Sequence, residues 1–194
     1  MFNNLLPATR TILLVTVGVF LVQNFAPAVV VGWELWPLGP YFHVWQLLTY
    51  ALLHGGLMHI AFNMIGLVTF GHALESYWGE QRLFTIYVVS VVTAGLAQLY
   101  AAELTGLAAP TVGASGGVFG LLLAFAVLFP QQRLALMFIP IPIPARVFAV
   151  GYAALELYQG VTTRGVGVAH FAHLGGMVGA AALIFLWRHS DVRR

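Results

Sequence analysis

Gly113-Ala114-Ser115-Gly116-Gly117-Val118 opens a long apolar run, with Pro110 just before it and Leu121 to Phe129 after. The stretch reads as a membrane helix starting at a glycine-rich turn, with one serine in its first turn. A serine there is either packing material or a nucleophile. The packing reading has good ground: serine is a favoured N-cap, and Gly113/Gly117 and Gly116/Gly120 are small-xxx-small pairs that let helices approach closely. The catalytic reading rests on the free backbone N–H groups and the dipole at a helix N-terminus, which favour negative charge. Those are the properties of an oxyanion hole.

Working outward, 60% of the 194 residues are hydrophobic and 7% are charged, and the mean hydropathy is +0.90. A soluble domain carries about 25% charged residues, so the chain is a polytopic membrane protein whose main solvent is the lipid bilayer. The absence of cysteine excludes a disulfide framework and a thiolate metal site. A net charge of +2 gives no reason to expect a nucleic-acid partner. The first apolar run is too long for a signal h-region and shows no small-residue cleavage site, so it reads as a retained span.

Charge spacing and Pro/Gly punctuation predict six spans in one all-α bundle, residues 11–31, 57–77, 83–102, 115–129, 145–160 and 168–187. Between the first two, Gly32 to Leu53 is rich in Trp and Pro and reads as a partly inserted loop. No repeat or second domain is visible across residues 1–194. Arg10, Arg82, Arg133, Arg146, Arg188, Arg193 and Arg194 share one side if both termini are cytoplasmic, leaving only Arg164 outside. The positive-inside rule selects that orientation. Spans two, four and six then run inward together, so His59, Asn63, Ser115, His170 and His173 share one level near the outer face.

A serine nucleophile needs a base. In Ala169-His170-Phe171-Ala172-His173-Leu174-Gly175-Gly176, Gly176 and Gly179 lie near the face of His173 and permit close approach of a neighbour. His173 is therefore the preferred base, with His170 a supporting residue. His59 and Asn63 share one helix face at i,i+4 and can both donate hydrogen bonds; the bland alternative is a polar contact between helices. His54, His59, His170 and His173 could also converge on a metal, but no His-Glu-x-x-His, nearby carboxylate or thiolate supports it. The acids fall mostly at span ends. Glu156 is the one well inside a span, and it could equally pair with Arg164 or reach interfacial water. A serine hydrolase built from this sequence is expected to work with a dyad.

With these residues assembled, the chain resembles the rhomboid family of intramembrane serine proteases. Three motifs carry the likeness: His59-x-x-x-Asn63, Gly113-Ala114-Ser115-Gly116 and Ala172-His173-x-x-Gly176. The resemblance implies Ser115 as nucleophile, His173 as base, and an oxyanion hole of His59, Asn63 and the Ser115 N–H. Gly113, Gly116, Gly176 and His170 are then packing or supporting residues, and no cofactor is needed. It also implies transmembrane protein substrates entering between spans two and five, past Phe148 and Tyr152, under a movable cover at residues 160–167. A bacterial inner membrane is the expected location. Two departures stand out. Trp45-Gln46 replaces the Trp-Arg of well-known members, so anchoring by that arginine is absent. Phe119 stands where a tyrosine often stacks on the catalytic histidine. Two rival functions remain: a non-catalytic membrane chaperone of the same fold, and a histidine-lined metal or proton path. The sequence leaves the oligomeric state open.

Overall fold

Pro7 opens the first helix, α1 (Pro7–Phe25), at a position where its missing N–H is no loss. The expected span ran on to Val31. Pro27 stops it, because a proline lacks the donor for the next bond and clashes one turn back, and Pro27–Val30 forms a separate 3₁₀ turn. This computed structural model describes residues 5–106, 109–136, 139–162 and 169–191. Arg164, Arg193, Arg194 and most of the expected cover at 160–167 lie outside them.

The other helices are α2 (Leu57–Trp78), α3 (Glu80–Thr105), α4 (Ser115–Leu128), α5 (Ala145–Thr162) and α6 (His170–Asp191). By length and composition, α1, α2, α3 and the His170–His189 part of α6 can each cross a membrane, while α4 is apolar but shorter. The chain is thus a helical membrane protein. It is not purely helical, however. Arg133–Leu136 (β1) and Ile139–Pro144 (β2) form a short antiparallel pair between the fourth and fifth expected spans, in what was expected to be an all-α bundle. The alternation Ile-Pro-Ile-Pro-Ile-Pro explains both facts. Proline every second residue forbids a helix, but it can still be placed where the strand's N–H would not face its partner.

Helix α1 is capped by a residue far along the chain. Glu75, near the end of α2, accepts hydrogen bonds from the Ala8 N–H at 2.7 Å, the Thr9 N–H at 2.8 Å and the Thr9 hydroxyl at 2.7 Å. A buried carboxylate facing the free donors of a helix N-terminus satisfies both sides. Close by, α2 makes one π turn, Leu67–Gly71, as Gly71 passes Thr9.

The loop from Gly32 to Leu53 contains short helical turns at Gln46–Thr49 and Tyr50–Leu52. Its anchor is the fully buried Gln46. Gln46 Oε1 accepts from the Trp36 and His43 N–H groups, and Nε2 donates to the Gly32 and Tyr41 carbonyls, all within 3.0–3.3 Å. A neutral amide, with two donors and two lone pairs, therefore does the anchoring at the position where an arginine was missed. Gln46→Ala strands four backbone groups, and we expect it to cost about 3 kcal/mol, read as a lower thermal midpoint in detergent.

Helix α4 is the centre of the bundle and packs against α3, α5 and α6. Contact with α6 is backbone to backbone: a Cβ added to Gly176 would overlap the Gly116 carbonyl. Gly175 and Gly179 turn instead toward α3, where they meet Ala97 and Thr93. The glycines around His173 thus serve two neighbouring helices rather than one.

Candidate active site

Ser115 begins α4 and His173 lies in the first turn of α6. Ser115 Oγ is 2.8 Å from His173 Nε2. Backbone contact at Gly116 and Gly176, one residue beyond Ser115 and three beyond His173, brings the two helix starts this close. Phe119, one turn after Ser115, stacks on the His173 ring with centroids 4.2 Å apart and planes 1° from parallel. Its other neighbour is Tyr152 of α5, at 5.0 Å, which in turn stacks on Phe148. The ring plane of His173 is thereby fixed without a hydroxyl.

His59 stands on the other side of the serine turn. Its Nδ1 accepts from the Gly55 N–H at 3.2 Å, so the ring proton sits on Nε2. That nitrogen faces Gly113, where an added Cβ would lie only 2.9 Å away. Gly113 also has φ +132°, a region that side chains disfavour. Only glycine suits the position on both counts. Asn63, buried one turn further along α2, donates one amide proton to the His59 carbonyl at 2.9 Å. Within α4 the Val118 N–H bonds the Ala114 carbonyl at 3.1 Å, and the N–H groups ahead of it are the free donors of a helix start.

The turn is held from behind. The Gly113 N–H donates to the Tyr50 carbonyl at 2.9 Å, and the Tyr50 hydroxyl donates to the Val91 carbonyl of α3 at 2.8 Å. The Ala114 N–H points at His54 Nε2, 3.4 Å away. Gln23 of α1 clamps His54 in place, taking its N–H at 3.0 Å and donating to its carbonyl at 2.8 Å.

Burial, with the His59 ring 5.0 Å away, pushes the His54 pKa down from 6.5 to about 4. His54 is thus neutral in the folded protein over a range where the unfolded chain binds a proton. Its contribution to stability is complete above pH 6.5 and is lost as the pH falls toward about 4. The thermal midpoint should drop across that window, and His54→Gln should flatten the drop.

Sequence reasoning found no carboxylate for His173, and here the structure differs. Glu156 Oε2 lies 2.6 Å from His170 Nδ1 and 3.0 Å from His173 Nδ1. The first contact is an aligned hydrogen bond; the second is close but bent. The reason is the antiparallel pairing of α5 and α6. Glu156 stands six residues before the end of α5, and His170 and His173 lie in the first turn of α6. Counting back and forward from that connection would have paired them. Gln23 and Tyr50, which support the turn through backbone groups, left no such signal.

A family model described as the rhomboid domain matches residues 41–190. The rhomboid protease GlpG of Photorhabdus laumondii is 30% identical over 189 residues, covering 95% of this chain and 63% of the relative. Rhomboid protein 1, mitochondrial, of Saccharomyces cerevisiae is 34% identical over 128 residues, covering 65% of this chain and 37% of the relative. The rhomboid protease GluP of Bacillus subtilis is 37% identical over 78 residues, or 40% of this chain and 14% of the relative. The chain therefore spans less than two thirds of the length of each. The family match, over residues 41–190, takes in the serine turn and both histidine-bearing helices, α2 and α6, and on that ground the chain belongs to the rhomboid family.

Proposed function

We propose that the chain is an intramembrane serine protease in which Ser115 attacks a peptide carbonyl of a transmembrane substrate. His173 takes the serine proton at Nε2 and later gives it to the leaving amine. His59 Nε2–H, the second amide proton of Asn63 and the Ser115 N–H receive the oxyanion. The observation that carries this reading is the 2.8 Å contact between Ser115 Oγ and His173 Nε2 at the start of an apolar helix.

Six helices cross the bilayer in this reading, with both termini cytoplasmic in a bacterial inner membrane and the site opening outward. Helix α4 has 14 residues, about 21 Å of rise against a hydrocarbon core of about 30 Å. Ser115 consequently starts below the outer surface, where water must reach it through a polar cavity. Substrates enter between α2 and α5, past Phe148 and Tyr152. A metal or proton path is disfavoured by the ring nitrogens already engaged: His59 Nδ1 with Gly55, His54 Nε2 with Ala114, and His170 Nδ1 with Glu156.

The deciding experiment incubates the purified protein in bilayers with a panel of single-span substrates. Cleavage within a spanning segment, unaffected by a chelator, is expected. A folded protein that binds the panel but cuts none of it would instead act as a membrane chaperone.

A further inference from the structure

We infer that Glu156 is the positioning residue of the base, holding the proton on His173 Nδ1 so that Nε2 stays free to accept from Ser115. This rests on the protease reading above. A base that faces the serine through Nε2 must carry its other proton on Nδ1, and in a buried site that N–H needs an acceptor. Glu156 Oε2 is the group that lies there, at 3.0 Å. Among the described residues no aligned acceptor serves His173 Nδ1, which is fully enclosed, and the bent Glu156 contact is what lies within reach of it.

The carboxylate is itself 3% exposed. Burying such a group is costly unless it is bonded, and two imidazoles three residues apart on α6 provide the partners. The aligned bond to His170 fixes Oε2 in place. His173 then meets a stationary negative charge, and the attraction grows when it takes the serine proton and becomes imidazolium. The proton passes from Ser115 Oγ to His173 Nε2; the one on Nδ1 stays where it is.

A tie between α5 and α6 could exist for packing alone, so the test must read the base itself. The titratable groups around His173 are His59 on α2, Glu156 with Tyr152 beside it on α5, and His170 on α6. The rate at which a fluorophosphonate labels Ser115 is followed against pH in the wild type, Glu156→Gln and His170→Asn.

In Glu156→Gln the neutral-pH rate should fall about 10- to 100-fold, less than the roughly 10²–10⁴-fold that acid–base assistance contributes as a whole, because His173 itself remains. The acid limb of the profile should move to lower pH by about one unit, because the imidazolium has lost its counter-charge. Glu156→Asp, with the charge kept, should leave the limb nearer its wild-type place. In His170→Asn the carboxylate no longer faces a second imidazole, and the limb should move to higher pH. A Glu156→Gln rate within about twofold of wild type, with the limb unmoved, overturns the inference. Should Glu156→Gln prove unfolded, the His170→Asn profile decides: a limb that stays put overturns it equally. Persistent labelling of Ser115→Ala signals that the protease reading has failed instead.

Discussion

Ser115→Ala and His173→Ala are each expected to lower substrate cleavage about 10⁴-fold or more, leaving only what substrate binding and the oxyanion hole supply. The size follows from how the two groups act. Neither side chain stabilises the transition state unless the other is present, so removing one removes the function of the pair, and the double variant should be no worse than either single one. Ser115→Ala should change stability little, since Ser115 is half-buried and its hydroxyl is committed to His173, so alanine leaves no large void. His173→Ala removes a buried ring stacked on Phe119 and should lower the thermal midpoint as well. A midpoint near wild type in Ser115→Ala, together with lost cleavage and lost fluorophosphonate labelling in that variant, would establish the nucleophile's role. Undiminished cleavage in both single variants would remove the pair from the mechanism.

Gly176→Ala should lower both stability and activity by a different route. The added methyl has no space, since its position overlaps the Gly116 carbonyl, a backbone group that no rotamer change can move aside. Helices α4 and α6 must separate. Overpacking of this kind costs about 1–3 kcal/mol and sometimes more, so a clear fall in thermal midpoint is expected. The separation also stretches the Ser115–His173 contact, because each residue lies within a turn of the clash. A misplacement of about 1 Å can cost roughly 100-fold in rate, which the cleavage assay would read. Gly151→Ala is the control. An added Cβ there meets nothing within 4 Å, and alanine is the better helix former by about 1 kcal/mol. It should be neutral or mildly stabilising.

Much of this could be anticipated from the chain alone. Ser115, Leu57 and Ala145 begin helices where glycine and proline punctuation placed them. What failed, failed for reasons of reach. Val31 was counted into the first span because its apolar run is continuous, and one proline outweighed that run. Residues 130–144 fell between two expected spans without a reading of their own, since strand pairing is a long-range property that local periodicity does not carry. Glu156 was weighed against Arg164, its nearer basic neighbour in sequence, when the antiparallel return of α6 delivered two histidines. Gln46 was judged by the arginine it replaced, although an amide has the four bonding positions the loop needed. The candidate pair Ser115 and His173 was legible because each stands at the start of its helix, where short motifs fix position. The groups behind them act through backbone atoms, which sequence does not mark.

The carboxylate that closes the start of α1 has a further meaning in time. Glu75 follows the groups it binds by 66 and 67 residues. At a synthesis rate of about 5–20 residues per second, roughly 3 to 13 seconds separate their appearance. Throughout that interval Ala8, Thr9 and the turn they begin are served by water or lipid headgroups. The arrival of Glu75 replaces those transient partners and locks the first helix to the second. The start of α1 thus lacks its carboxylate partner until most of α2 has been made.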